Sequence, residues 1–342
     1  MRRSVAVIVL LAGLCFLPVQ KADAAGLCCQ LSSGVQESLS GVAAPGTDEL
    51  SLQFNYSFSK MDKFKEGSTT RSLDYVKENF FPKYTSIPVD MDMIKYTMTA
   101  GYGFSSRLKA FISVPYLRNT MDMTKGMTMM GTTTWMDMTM EPVKGLGDVT
   151  AMALYRLYTN RDIRPTDVVT VGFGVKAPTG SFTETTSKGS FIHAHMQPGT
   201  GSWDPLLSLI YTKMMDQFLL QADATYQNTM RNREGYEFGD STALDLAGKY
   251  AVIKELNIGV GLTYLYVGRA SDKDGKYTNL TSLIDDPANT GGQSIWLSPE
   301  VQIFPLRNGS IDVKYQVPIW EKVNGIQLVT SHRLLLGVSY AF

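Results

Sequence analysis

The chain has 342 residues, 44% of them hydrophobic, with 32 basic and 32 acidic side chains and no formal net charge. That balance, without a run of basic residues, argues against a nucleic-acid partner.

The first residues read MRRSVAVIVLLAGLCFLPVQKADAA. Arg2 and Arg3, an apolar run from Val5 to Val19 and a small-x-small site at Ala22–Ala24 make the pattern of a cleaved export signal over 1–24. The run is too short to cross a bilayer as a helix. Residues 25–47 are small, polar and short of aromatics, and read as a periplasmic tail or a small lumen plug. Leucine precedes both Cys15 and Cys28, which disfavours lipidation. Cys28-Cys29 has no haem or zinc context and reads as a thiol pair near the mature N-terminus, with pairing to a partner protein as the alternative.

Beyond residue 25 no apolar run approaches the roughly 20 residues of a spanning helix. Period-two alternation recurs instead. Leu50, Leu52, Phe54, Tyr56 and Phe58 alternate with Ser51, Gln53, Asn55, Ser57 and Ser59. Segments around 217–227 and 311–320 repeat the pattern, giving strands with one apolar and one mostly polar face. A soluble sandwich alternates in the same way, so three further features decide. The apolar faces are rich in aromatics, as an interfacial girdle is. The opposite faces carry Lys95, Lys176, Asp223, Asp245, Lys249, Asp312 and Lys314, more charge than a dry core holds unpaired.

Connection lengths are the third feature. Twelve strands are predicted at 48–60, 89–104, 108–121, 146–159, 167–178, 203–214, 216–229, 241–253, 255–269, 293–304, 310–320 and 329–342. Connections after even strands are short. Those after odd strands are mostly long: 61–88, 122–145, 179–202, 230–240 and 270–292, with 321–328 shorter. Short periplasmic turns and long outer loops describe a transmembrane antiparallel β-barrel over 48–342, placed in the outer membrane of a Gram-negative bacterium. The last strand, RLLLGVSYAF, ends in Phe342 and resembles the C-terminal signal by which outer-membrane proteins meet the barrel-assembly machinery. Twelve strands enclose a narrow lumen, which fits a selective path better than a wide pore.

Three segments in the middle of the chain carry a resemblance: GLGDV at 145–149, KAPTGSF at 176–182 and QPGTGSWD at 197–204. Together they resemble the transporter-like outer-membrane family named for the meta-pathway of phenol degradation. The resemblance implies a barrel admitting small solutes, hydrophobic or aromatic ones among them. Physically, the glycines fit tight corners and Trp203 fits a membrane interface.

The stretch 121–140, MDMTKGMTMMGTTTWMDMTM, holds eight methionines and falls on a predicted outer loop. In extended chain Met136, Met138 and Met140 share one side, as do Met121 and Met123. A second MDM lies at Met91 and Met93. If Phe104 and Leu108 both face lipid across the turn SSR, paired positions of strands two and three sum to 212, and Met91 lies opposite Met121, both facing inward. Clustered thioethers select Cu(I), and His193 and His195 add an HxH pair on one face if that segment is extended. The competing reading of the methionines is a flexible apolar loop tip.

The leading function is a channel passing small solutes along a lumen lined by Lys95, Lys176, Gln221, Asp223, Lys249, Asp312 and Lys314. The alternative is a copper-handling surface barrel using Met91, Met93, Met121, Met123, Met136, Met138, Met140, His193 and His195, with Cu(I) the one cofactor considered. A third reading is a sheath around a periplasmic electron-transfer partner; the chain has no haem motif of its own, so that reading needs a separate partner protein. Catalysis is disfavoured: only three histidines are present, and Ser331 and His332, as strand neighbours, are expected to point to opposite faces.

Overall fold

The computed structural model describes residues 46–342 apart from Ile163 and Lys188. The expected signal at 1–24, Cys28 and Cys29, and all but the last two residues of 25–47 lie outside the described residues.

Twelve strands form the wall: β1 (Leu50–Glu66), β2 (Ser86–Gly103), β3 (Leu108–Met129), β4 (Val149–Thr159), β5 (Asp167–Ala177), β6 (Asp204–Met215), β7 (Phe218–Gln227), β8 (Ser241–Ile253), β9 (Leu256–Val267), β10 (Gly292–Leu306), β11 (Gly309–Val323) and β12 (Ile326–Ala341). Each pairs antiparallel with its sequence neighbour, and β12 returns to β1 with Leu52 opposite Tyr340 and Phe54 opposite Val338. Closure satisfies the backbone of every wall strand between neighbours, the condition for crossing a bilayer without helices. Among the described residues no helix is long and apolar enough to cross.

The alternation sorts the two faces. Leu50, Leu52 and Phe54 are exposed on the outside, while Ser51, Gln53 and Asn55 between them are buried inside. β2 and β3 pair in the register whose positions sum to 212, from Asp90↔Asp122 through Met91↔Met121 to Gly103↔Lys109.

The strand count matches expectation, and two loop expectations are corrected. Residues 122–145 are not an open loop. β3 continues to Met129, turns at Met130 and Gly131, both at positive φ (50° and 80°), and the chain returns along β3 as short strands Thr132–Thr139 and Val143–Leu146. A two-residue turn with both centres at positive φ matches strand twist, and the Thr/Met alternation lets the ribbon extend the sheet.

The second correction concerns 321–328. β11 runs to Val323 and β12 begins at Ile326, so the connection is Asn324-Gly325, with Gly325 at φ +58°. The β11–β12 ladder ends at Gln316↔Arg333, just before Pro318; proline has no N–H to give a ladder. Past that point, Ile326 N–H donates to Asn289 Oδ1 (3.2 Å) and Gln327 Nε2 to the Gly291 carbonyl (2.8 Å).

The long connections fold inward. Helix α1 (Leu73–Phe80), started by Ser72 accepting the Tyr75 amide (3.2 Å), buries Val76. Val76, Tyr84, Ile192, Met196 and Leu283 from three connections pack against inward-facing Met61, Met91, Met93, Met121 and Met123 of β1–β3. A second cluster, Phe182, Tyr236, Phe238 and Tyr277, joins three connections. The outer mouth is therefore filled by an apolar cap.

Candidate functional site

The glycine-rich segments meet at one junction under this cap. Gly147-Asp148 precedes β4, Lys176 closes β5, and Gly199-Thr200 lies just before β6. Thr179 Oγ1 donates to the Gly147 carbonyl (3.0 Å) and accepts from the Val149 amide (2.8 Å). Asp148 Oδ1 accepts the Gly180 amide (3.0 Å), and its Oδ2 accepts both the amide (2.8 Å) and the hydroxyl (2.6 Å) of Thr200. Lys176 Nζ sits 2.5 Å from Asp204 Oδ2 and 3.7 Å from Asp148 Oδ2. Asp204 is fully buried and also accepts from Gln227 Nε2 (3.2 Å) and the Met230 amide (3.1 Å). The 178–203 connection is thus stitched into the mouth by charge-assisted hydrogen bonds, the strong kind.

The three segments that interlock here lie within the stretch matched by a protein-family model. That model, described as "Putative MetA-pathway of phenol degradation", matches residues 105–325. The chain belongs to this family. The fold is similar to that of an outer-membrane channel from Pseudomonas putida F1, with 14% identity over 87% of this chain and 97% of that one and a TM-score of 0.56. At a TM-score of 0.45 it is also similar to the monoaromatic hydrocarbon channel CymD (9% identity, 94% of each chain) and to the P. putida toluene transporter TodX (10% identity, 88% of this chain and 92% of that one). No curated protein matches the sequence. With its closed wall and aromatic-rich exterior, this family member is a barrel of the bacterial outer membrane.

Beneath the cap of this phenol-pathway family member lies a cavity of about 100 Å³. Lys95, Ser113, Thr150 and Lys176 line it from the wall, and His195, Gln197, Pro198 and Phe238 from the connections. Gln197 holds its own connection in shape: its Nε2 donates to the carbonyls of Glu184 (3.0 Å) and Ile192 (3.1 Å), and its Oε1 accepts the Glu184 amide (3.0 Å). Trp203, next to the junction, is exposed on the outside.

The other inward charges have side-chain partners of their own. Glu300 receives Lys249 (2.9 Å) and Lys314 (3.2 Å). Gln221 donates to Asp223 (2.7 Å), and Asp312 accepts from Gln302 (2.6 Å) and Ser310 (3.0 Å). Lys95 is buried. Sequence reasoning missed Glu300, Asp148 and Asp204. Glu300 stood in plain alternation between Ser298 and Gln302, both partly or fully turned inward. The two aspartates lie inside the family segments, where the glycines and Trp203 are the more conspicuous residues.

The cap has its own polar ties. Tyr84 OH donates to Asp286 Oδ2 (2.6 Å), which also receives Lys83 (3.1 Å). Burial and the Asp286 partner push the Tyr84 hydroxyl up. Burial opposes ionisation of Asp286, but the Tyr84 hydroxyl, the Ala288 amide and Lys83 outweigh it and hold the carboxyl below its usual value.

The methionine and histidine candidates divide. Met91, Met93, Met121 and Met123 are buried in the cap cluster, and Met140 packs against it. Met136 and Met138 are exposed on the returning strand of the hairpin. His193 and His195 do not share a face. Ala194–Met196 is a 3₁₀ turn, which rotates alternate residues apart. His193 pairs with Asp285, and His195 is buried against Phe238. Among the described residues no group of three or more His, Cys, Asp or Glu is placed to hold a metal.

One further expectation is corrected. Ser331 Oγ lies 3.2 Å from His332 Nδ1, because the β1–β12 register slips between Lys60 and Met61 and leaves Ser331 unpaired in the ladder. The His332 ring stands beside Phe58 and Tyr315.

Proposed function

We propose that the protein is an outer-membrane channel for small, largely apolar solutes, single-ring aromatics among them, and not an enzyme. The observation that carries this reading is the composition of the path. Methionine and aromatic side chains fill the mouth, and a cavity of about 100 Å³ lies directly beneath them with Met93, Pro115, Leu117 and Phe238 in its lining. A site for sugars or ions presents unpaired polar groups along its path; here the charged groups are paired with one another, Lys176 with Asp204 at the cavity wall and Lys249 and Lys314 with Glu300. The cavity approaches the roughly 150 Å³ that accommodates benzene in an engineered core. In this reading Lys95 and Lys176 in the cavity wall, with Gln221, Asp223, Lys249, Asp312 and Lys314 elsewhere along the lumen, keep the path hydrated and electrostatically balanced. The names of the two aromatic-hydrocarbon transporters and the family description agree with the solute class.

Asymmetric bilayers with a lipopolysaccharide outer leaflet, itself a barrier to apolar solutes, test this. Flux of toluene rising with inserted protein while arabinose flux stays at background is the expected result. Arabinose flux without any gain for toluene overturns the reading.

A further inference from the structure

Three methionines stand in one row across three adjacent strands. Met61 of β1 is opposite Met91 of β2, and Met91 is opposite Met121 of β3. All three face inward and are 1% exposed. Directly paired residues on one sheet face hold their Cβ atoms about 4.5–5.5 Å apart, within the reach of flexible thioether arms. A void of about 30 Å³ adjoins the row, with Met61, Met91, His195, Leu283, Asn289 and Gln327 in its lining. Asn119 Nδ2 donates to the Met196 carbonyl (3.2 Å) and so fixes the turn that carries His195 against β3.

We propose that this void is a binding site for a soft monovalent cation, Cu(I), held by Met61, Met91 and His195 with Met121 as the flanking donor. Four considerations favour a ligand role over packing alone. Methionine is a poor choice for filling the inward face of a strand, where β-branched residues fit a pleated surface better, yet it occupies every position of this row. The void exceeds the space one small ion or water needs. Thioether and imidazole are soft or borderline donors, the set that selects Cu(I) over hard cations. The donors are also uncharged and sit in an apolar cluster, where a second positive charge is far more expensive to desolvate than one; that excludes divalent ions. This placement separates the site from the exposed Met127, Met129, Met136 and Met138 of the hairpin, which lie away from the void.

The test is an anaerobic Cu(I) titration against a competing chelator, on the full chain folded in detergent, with Cys15, Cys28 and Cys29 replaced by serine so that thiolates do not compete. One equivalent bound is expected. Met61→Leu/Met91→Leu should weaken it at least a hundredfold, and Met136→Leu/Met138→Leu should leave it unchanged. Leucine nearly conserves volume, and heat-modifiable mobility on gels reports whether each variant folds. Should the double variant not fold, Met91→Leu alone and His195→Gln carry the comparison. X-ray absorption of the bound ion should show sulfur scatterers with one imidazole. No binding, binding indifferent to Met61 and Met91, or binding lost with the hairpin methionines each overturns the proposal.

Discussion

His193 Nδ1 lies 2.7 Å from both carboxylate oxygens of Asp285, joining two connections that are 92 residues apart in sequence. The Asp285 side chain is nearly buried and that of His193 largely so. The pair latches the 178–203 connection to the one after β9, the two that together cover the mouth. Truncating Asp285→Ala leaves His193 without its acceptor. For a pair at the edge of water the loss is about 1–2 kcal/mol, or about a tenfold rise in the open population. Single-channel recordings should show the variant open about ten times more often; an unchanged open probability would mean that the latch does not limit opening.

His195 supplies a pH dependence. Burial, the dominant effect, drives its pKa down to about 4; Asp285 pulls the other way and His193 adds to the lowering. An opened connection takes up a proton near the ordinary value of 6.5, whereas the closed one does so only near 4. Between those values the open form binds more protons, so the closed cap loses stability as pH falls from 6.5 to 4 and has its full contribution above 6.5. The total is roughly 3 kcal/mol at about 1.4 kcal/mol per unit. Protection of the 178–203 connection against limited proteolysis should fall through that window, and His195→Phe should flatten the dependence. A parallel loss in the variant would assign the effect elsewhere.

Much of this barrel was legible because a strand buried on one side writes its facing into every second residue. The β2–β3 register followed from Phe104 and Leu108 alone, since a slip of one position would have turned Lys95 to the lipid. The cap was not legible. Its contacts join Tyr84 to Asp286 and Phe182 to Tyr277, pairs separated by 202 and 95 positions, and no period links such residues. The methionine stretch misled because alternation of Met with Thr and Asp continues a strand as readily as it composes a loop. HxH shares one face only in extended chain, and its middle residue begins a 3₁₀ turn. Ser331 and His332 approach each other only through a bulge, a feature that alternation does not anticipate.

Glu300 offers a readout of lumen charge. It is the shared acceptor of Lys249 and Lys314, and its side chain is 8% exposed. Glu300→Gln leaves two lysines facing a neutral amide, which costs about 1–3 kcal/mol where some water reaches the lumen, less than for a dry interior pair. The lumen also gains one positive charge. In the opened Asp285→Ala background, the reversal potential under a potassium chloride gradient should move toward the chloride potential. A shift toward potassium, or none, would show that ions do not pass these residues.

The junction itself is tested by its glycines. A Cβ on Gly180 would lie 2.8 Å from Gly199 Cα and 2.9 Å from the Gly147 backbone, while one on Gly199 would lie 2.5 Å from the Gly180 carbonyl. These contacts are with backbone, so no side chain can swing away and the stitched segments must part. Forcing a methyl into such a contact costs about 1–3 kcal/mol, and it pulls Asp148 from the Gly180 and Thr200 amides. Gly261→Ala on β9, where the nearest atom to a new Cβ is 3.6 Å away, provides the comparison. Gly180→Ala should lower the temperature at which the heat-modifiable form disappears and expose the 178–203 connection to protease, and Gly261→Ala should do neither. Equal behaviour of the two variants would mean that the wall holds the connection without the junction, and that the close approach of these three segments serves something other than docking.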